Sequence, residues 1–280
     1  MGGKDVILVT GSDLAEQAMV MLQGFEVVFA GRQPTEDDLI ALCERHNPVA
    51  ILVRYGRITA KVMDAAPALQ VISKHGSGID VIDQTAAAER NIAVRAAPGA
   101  NAAAVAEHTW ALILACAKSV VPLDKRLRDG HWDKATHKSI ELEGLTLGLI
   151  GLGAAETLTG LLSRSDVISL HCPLTDENRG MINSEALAHC KRNAILVNTA
   201  RGGLIHSESL LAALRDGTLH SAALDSFTQE PLTAPHLWQS VENVVISPHI
   251  GGVTAASYIK MGTVAAGNIL AVTDATTVSS

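Results

Sequence analysis

Short β-branched runs alternate with helix-length stretches along this chain, and they do so in two separate series. The first series holds VILVT at 6–10, EVVFA at 26–30, AILVR at 50–54, LQVISKHG at 69–76 and IAVRAA at 92–97. The second holds TLGLIGLG at 146–153, VISLHC at 167–172, AILVNTA at 194–200, AALDSF at 222–227 and VVISPHI at 244–250. Strands separated by helices cannot close as hairpins and must be joined by crossovers, so each series predicts βαβ units in a mainly parallel sheet. The stretch at 35–46 illustrates the helical part. Thr35 is placed as an N-cap, Glu36, Asp37 and Asp38 suit the positive helix end, and Leu39, Ile40, Leu42 and Cys43 form the apolar stripe.

Ala97-Pro98-Gly99 breaks the first series and opens a long apolar helix, NAAAVAEHTWALILACAKSVV, at 101–121. Glu107, His108 and Lys118 fall inside it, a cost that argues for a buried helix joining two domains and against a membrane span. With 280 residues, 48% of them hydrophobic, the chain has material for two cores, which places a first domain at 1–98 with 253–280 and a second at 99–252. A net charge of -7 provides no field for nucleic acid or an anionic membrane. Cys43, Cys116, Cys172 and Cys190 lie far apart, with no C-x-x-C pair and no metal-ligand spacing, which predicts a reducing, cytoplasmic setting and no metal site. The N-terminal residues MGGKDVILVTG enter a strand at once, without an export signal's apolar core.

In an open parallel sheet ligands bind beyond the carboxyl ends of the strands, and in the second series those ends are chemically loaded. In order they are Gly151 and Gly153, then His171-Cys172-Pro173, Thr199-Ala200-Arg201-Gly202-Gly203, Asp225 with Gln229-Glu230-Pro231, and Pro248-His249-Ile250-Gly251-Gly252. Arg, Glu and His together suit hydride transfer to a 2-oxo acid. A guanidinium fork binds a planar carboxylate bidentately, the role given to Arg201. Imidazole titrates near working pH, which makes His249 the acid in reduction and the base in oxidation, with Glu230 holding its ring and raising its pKa.

The run NTARGGLIHSESLLAALRDGTLHSAALDSFTQEP and the motif SPHIGG resemble the D-isomer-specific 2-hydroxyacid dehydrogenases, in particular the D-3-phosphoglycerate dehydrogenase and hydroxypyruvate reductase branch. The resemblance covers nearly the whole chain. It implies an α/β protein of two Rossmann-like domains, one flavodoxin-like and one dinucleotide-binding, with parallel sheets and an interdomain cleft. It implies NAD as cofactor, with NADP open, a small anionic 2-oxo or 2-hydroxy acid as substrate, and a homodimer. By the same resemblance Arg201, Glu230 and His249 are catalytic. Gly151, Gly153, Cys172, Pro173, Thr199, Ala200, Arg201, Asp225, His249, Gly251 and Gly252 are cofactor-binding. KHGSGID at 74–80 looks like the family's substrate loop, so that Arg54, Lys74, Ser77 and Gly78 join Arg201 on the substrate. Asn101 and Glu107, in GANAAAVAEH, match the start of the family's interdomain helix.

The departure lies in LGLIGLGAAE at 147–156. In the family the second glycine is followed by a third, a helix and a further strand ending in an acid that binds the adenosine ribose. Here only residues 154–166 separate Gly153 from the next strand, and a βαβ passage takes about 30 residues or more. Either half of the nucleotide subdomain is lost or a segment of several tens of residues is absent near Ala154, Ala155 and Glu156. Deleting a strand with its helices would expose more core than a stability of about 5 to 15 kcal/mol tolerates, which favours an absent segment. Two other functions fit the residues: a dinucleotide-sensing corepressor-like protein without turnover, and, if the truncation is genuine, a cofactor-free remnant.

Overall fold

The computed structural model describes residues 3–153 and 156–278. They divide into two compact units, Met1–Ala103 with Val253–Ser280, and Ala104–Gly252.

The first unit runs β1 (Val6–Val9), α1 (Glu16–Met21), β2 (Glu26–Phe29), α2 (Glu36–His46), β3 (Ala50–Val53), α3 (Ala60–Asp64), β4 (Val71–Lys74), α4 (Gln84–Glu89) and β5 (Ala93–Arg95), and the chain returns to it as α10 (Ala255–Val278). The strands are parallel in the order β2-β1-β3-β4-β5, the flavodoxin-like arrangement. Successive side chains on a strand point to opposite faces, so continuous apolar runs give two buried faces. Leu8, Ile51, Val53 and Ile72 pack with Leu39, Cys43 and Val62 on one face. Ile7, Val9, Leu52 and Val71 pack with Ala18, Ala265, Ala266 and Ile269 on the other. The start of α2 is a capping box: Asp38 N donates to Thr35 Oγ1 at 3.2 Å while Thr35 N donates to the Asp38 carboxylate at 2.9 Å.

The second unit holds most of α5 (Ala102–Ala117), then α6 (Val120–Arg128), β6 (Leu147–Ile150), α7 (Leu158–Arg164), β7 (Val167–Leu170), α8 (Ser184–Ala188), β8 (Ile195–Asn198), α9 (Ser207–Arg215), β9 (Ser221–Leu224) and β10 (Val244–Ile246). Its parallel sheet has the order β10-β9-β8-β7-β6, each strand beside its sequence neighbour. Right-handed crossovers that advance in one direction put their helices on one face. There Ile168, Leu170, Leu196 and Leu224 meet Leu162 of α7, Leu187 of α8 and Leu210 of α9. The opposite face, Val167, Ile195, Val197 and Ala223, is covered by Leu112, Ile113, Cys116 and Ala117 of α5.

Two expectations need correction. The apolar stretch at 101–121 is not one helix: Ser119 takes φ 51°, and α5 and α6 meet at 57°. Nor is it buried all round, since Trp110 is 51% and Leu114 46% exposed. Among the described residues no single helix is long and apolar enough to cross a membrane. Between β6 and β7 the described residues hold one helix, α7, and among them β6 has no strand partner on its other edge. Ala154 and Ala155, where the absent segment is expected, lie outside the described residues.

Candidate active site

Parallel strands bring all their carboxyl ends to one side of the sheet, and each strand of the second unit stops just short of the residues singled out above. The turn after β6 needs its glycines. Gly151 has φ 124°, and a Cβ there would lie 2.6 Å from the His171 carbonyl carbon and 2.7 Å from Cys172 N, so β6 and the end of β7 approach only because it is absent. Gly153 has φ 69°, and among the described residues, its chain neighbours aside, no atom lies within 4 Å of its Cβ position. After β7, Cys172 is half-buried and burial pushes its thiol up, while the Pro173 carbonyl accepts from Asn178 Nδ2 at 2.8 Å.

Asn198, the fully buried last residue of β8, fixes the next turn. Its Oδ1 accepts from Ala200 N at 3.0 Å and its Nδ2 donates to the Arg201 carbonyl at 2.8 Å. Thr199 Oγ1 is tied to Thr109 Oγ1 of α5 at 3.0 Å. The half-buried Arg201 reaches back with Nη1 to the Ala200 carbonyl at 2.8 Å, and its charge bears on both Glu230 and His249.

His249 sits in the left-handed region at φ 54°, where histidine is one of the better tolerated residues. Its Nδ1 is 2.8 Å from Glu230 Oε2, and Glu230 Oε1 accepts from Phe227 N at 2.8 Å. Both carboxylate oxygens are thus used to orient the ring, and Nε2 makes no hydrogen bond among the described residues. The hydrogen bond that His249 Nδ1 donates to the Glu230 carboxylate raises the His249 pKa, against burial and the Arg201 charge. Burial raises the Glu230 carboxyl, but the bonds from His249 and Phe227 N, with the charges of His249 and Arg201, outweigh it and leave the carboxyl below its ordinary value. The side chains are 46% and 35% exposed, so solvent screens the pair and both shifts are modest.

Asp225 is 2% exposed and binds the following turn: Oδ1 accepts from Ser247 Oγ at 2.6 Å and Ile250 N at 2.9 Å, Oδ2 from Gly251 N at 2.7 Å. Gly251 is buried and Gly252 half-buried. Ser247 and His108 were given no site role from sequence, yet His108 Nε2 lies 3.0 Å from Ser247 Oγ. Both stand inside motifs already quoted, SPHIGG and GANAAAVAEH, which was the available signal. Glu107, its neighbour on α5, is exposed, and Asn101 is half-buried just before that helix.

Arg54, Lys74, Ser77 and Gly78 belong to the first unit: Arg54 follows β3, Lys74 is the last residue of β4, and Ser77 and Gly78 lie beyond it. Arg54 is committed there: it pairs with the Asp13 carboxylate, donates to the Asp13 carbonyl at 2.6 Å, and stands 5.3 Å and 5.1 Å from the ring centres of Tyr55 and Tyr258. Lys74 Nζ donates to the Arg54 carbonyl at 3.0 Å. Ser77 is exposed and Gly78 half-buried.

Residues 154–251 match the family model described as D-isomer specific 2-hydroxyacid dehydrogenase, NAD binding domain. The chain is 39% identical to a glyoxylate reductase from Thermofilum pendens, over 85% of this chain and 82% of that one. The chain belongs to the D-isomer specific 2-hydroxyacid dehydrogenase family. It is also 35% identical to the D-3-phosphoglycerate dehydrogenase of Methanocaldococcus jannaschii, over 94% of this chain but 56% of that enzyme, so it spans about half of that relative. Among solved structures, a protein from Thermus thermophilus superposes with a TM-score of 0.88 at 36% identity, covering 96% of this chain and 97% of that one.

Members of this family are NAD(P)-dependent oxidoreductases, and this chain is one of them. Its strand ends leave room for such a cofactor: a Cβ on Gly153 would meet no described atom within 4 Å beyond its chain neighbours, and Cys172, Thr199 and Asp225 follow the ends of β7, β8 and β9 on the same side of the sheet. The acid that would hold the adenosine ribose has no counterpart among the described residues. The two acids between Gly153 and β7 are already engaged, Glu156 with Arg164 and Asp166 with Thr146 N and Lys191 Nζ, the latter two each at 2.9 Å.

Proposed function

We propose that this dehydrogenase interconverts a small, unphosphorylated or phosphorylated D-2-hydroxy acid and its 2-oxo acid, of the glyoxylate, hydroxypyruvate or phosphoglycerate kind. The observation that carries the reading is the His249–Glu230 bond at 2.8 Å, with Nε2 left without a bond among the described residues and the Arg201 charge bearing on the pair. When bound, a reduced nicotinamide supplies the hydride. Arg201 grips the substrate carboxylate with its planar fork and fixes the neighbouring carbonyl. His249 Nε2 gives its proton to the carbonyl oxygen as charge develops there, and takes one back in the oxidative direction. Glu230, through Nδ1, holds the ring and stabilises the imidazolium.

The other cofactor positions follow from the strand ends: Gly151, Gly153, Cys172, Pro173, Thr199, Ala200, Asp225, Gly251 and Gly252. A substrate role for Arg54, Lys74, Ser77 and Gly78 is a separate proposal, tested by the effect of R54Q on KM. A homodimer is supported by the exposed Trp110, Leu114, Val121, Leu127 and Trp132 on the second unit. A reducing, cytoplasmic setting suits the four free cysteines. An absent segment after Gly153 is supported by the alignment with the Thermofilum enzyme, which runs over 278 residues while drawing on 85% of this chain, so several tens of positions there have no counterpart here. Cofactor preference would be written in that segment.

The deciding experiment is a panel of 2-oxo acids with NADH and NADPH, run on protein whose intact mass is known. Turnover of at least one acid is expected, and none with any acid would overturn the reading. The lack of an unengaged acid for the ribose among the described residues between Gly153 and β7 favours one alternative, a protein of this fold that no longer binds dinucleotide. NADH fluorescence titration separates the two.

A further inference from the structure

The chemistry proposed above depends on where one backbone turn puts His249, and the sheet does not hold that turn, because β10 ends at Ile246. His249 N donates to the Ser247 carbonyl at 3.0 Å, which closes the turn tightly on itself. The backbone N–H groups of the two residues after His249 both end on Asp225, Ile250 N on Oδ1 and Gly251 N on Oδ2. Asp225 is thereby the anchor of the turn, and its own position depends on what holds its carboxylate.

Ser247 Oγ has one proton and lies 2.6 Å from Asp225 Oδ1, an acceptor-only group when ionised, so the proton goes there. Ser247 Oγ must then accept from its other neighbour, His108 Nε2, at 3.0 Å. That assigns the hydrogen of the His108 ring to Nε2, which also lies 3.4 Å from Asp225 Oδ1. Space is short as well as bonds: a Cβ on Gly251 would meet Asp225 Oδ2 at 2.9 Å and His108 Cδ2 at 3.3 Å. His108 stands on α5, whose Leu112, Ile113 and Cys116 are packed under β7, β8 and β9. The helix therefore supplies a rigid base for a chain of bonds from His108 through Ser247 and Asp225 to the turn.

We infer that His108 and Ser247 are positioning residues of the hydride-transfer site: through the Asp225 carboxylate they hold the 247–251 turn so that His249 meets Glu230. The inference rests on the proposed role of His249. It asks nothing of His108 or Ser247 at the reacting atoms. Loosening the turn lengthens the Nδ1–Oε2 bond, and the Arg201 charge and burial, which oppose protonation of His249, then act with less compensation from Glu230 and Asp225.

The test is a histidine NMR titration of the full chain, with kinetics alongside, for S247A, H108A, S247T and H108Q. In S247A and H108A the His249 midpoint should fall by about half a pH unit, and kcat by about tenfold with KM for the oxo acid changed less than about twofold. S247T keeps the hydroxyl and H108Q an N–H near the Nε2 place, so both should return midpoint and kcat towards the parent. A merely structural role would lower yield or melting temperature and leave the midpoint alone. Unchanged midpoints in the alanine variants, or S247T and H108Q as damaged as alanine, overturn the inference. If the alanine variants do not fold, H108N, which withdraws the donor, decides by the same midpoint. If the parent turns over no oxo acid, the proposed function falls and the titration still decides this one.

Discussion

Each unit has five parallel strands, but the chain visits them differently. In the first sheet the order β2-β1-β3-β4-β5 reverses direction beside β1, which leaves a topological switch point and puts helices on both faces. In the second the order β10-β9-β8-β7-β6 never reverses, so the glycine turn after β6 lies at the sheet's open edge. A reversal supplies a crevice from backbone alone. Where there is none, the site must be held by side chains, and the second unit does this with Asn198, Asp225 and Glu230, each bonding a turn beyond a strand end. The proposed chemistry would therefore sit in the sheet that has no reversal.

Two histidines break this comparison most sharply if it is wrong. H249A, in the second unit, should lower kcat by about 10²- to 10⁴-fold, the usual worth of a positioned acid–base group, with KM much less affected. H75L, in the first unit, should leave kcat within about twofold. Equal losses from both variants in steady-state assays would mean that the chemistry is not confined to the second unit.

His75 should nevertheless show itself in stability. It is 9% exposed with Nε2 unsatisfied, and burial, with the charges of Arg54 and Lys74, lowers its pKa to about 4. Above the ordinary histidine value neither folded nor unfolded state carries the proton, and the fold keeps its full stability. As pH falls from about 6.5 towards 4 the unfolded chain gains a proton that the folded chain refuses, so stability drops, by up to about 3 kcal/mol. Unfolding free energies from urea titrations at pH 7 and pH 4.5 should lie closer together in H75L than in the parent by up to that amount, and an unchanged pH slope would remove His75 as the cause.

A smaller effect concerns the pair itself. His249 is raised by Glu230, so reduction, which needs the protonated ring, should persist to higher pH than for an ordinary histidine and be lost as pH rises through the folded value. E230Q removes the carboxylate charge and should move the alkaline limb of kcat/KM to lower pH, with about tenfold less activity on the alkaline side. In the oxidative direction the same variant should gain activity at lower pH than the parent. An unmoved limb would show that Glu230 only holds the ring.

The ten strands among the described residues were legible because buried parallel strands read as mostly apolar runs, such as VILV in β1 and AILV in β3. Their ends were overshot where apolar residues continue into a loop, as at Ala30 after β2 and at Ala96 and Ala97 after β5. The break at Ser119 had a signal, Pro122, which fits the first turn of a new helix and not the interior of an old one. Arg201, Glu230 and His249 stood out by residue type at successive strand ends. The His108–Ser247 link did not, because it joins positions 139 residues apart and neither side chain is unusual alone.

The open edge gives the smallest effect and the finest test of the comparison. Leu152 is 72% exposed beyond β6, whereas Leu8, on an interior strand of the first sheet, is fully buried. If the 280 residues are the whole protein, L152S removes almost no burial and should change stability by no more than about 0.5 kcal/mol, as for ordinary surface sites. If a further strand and helix follow Gly153, Leu152 lies beside them, and the same substitution in that longer protein should cost about 1.5 to 3 kcal/mol, the worth of a buried leucine. Urea midpoints of both pairs, with and without the segment, read the difference directly. A neutral result in both would show that the edge of β6 is a true boundary, and the single-direction sheet a finished structure.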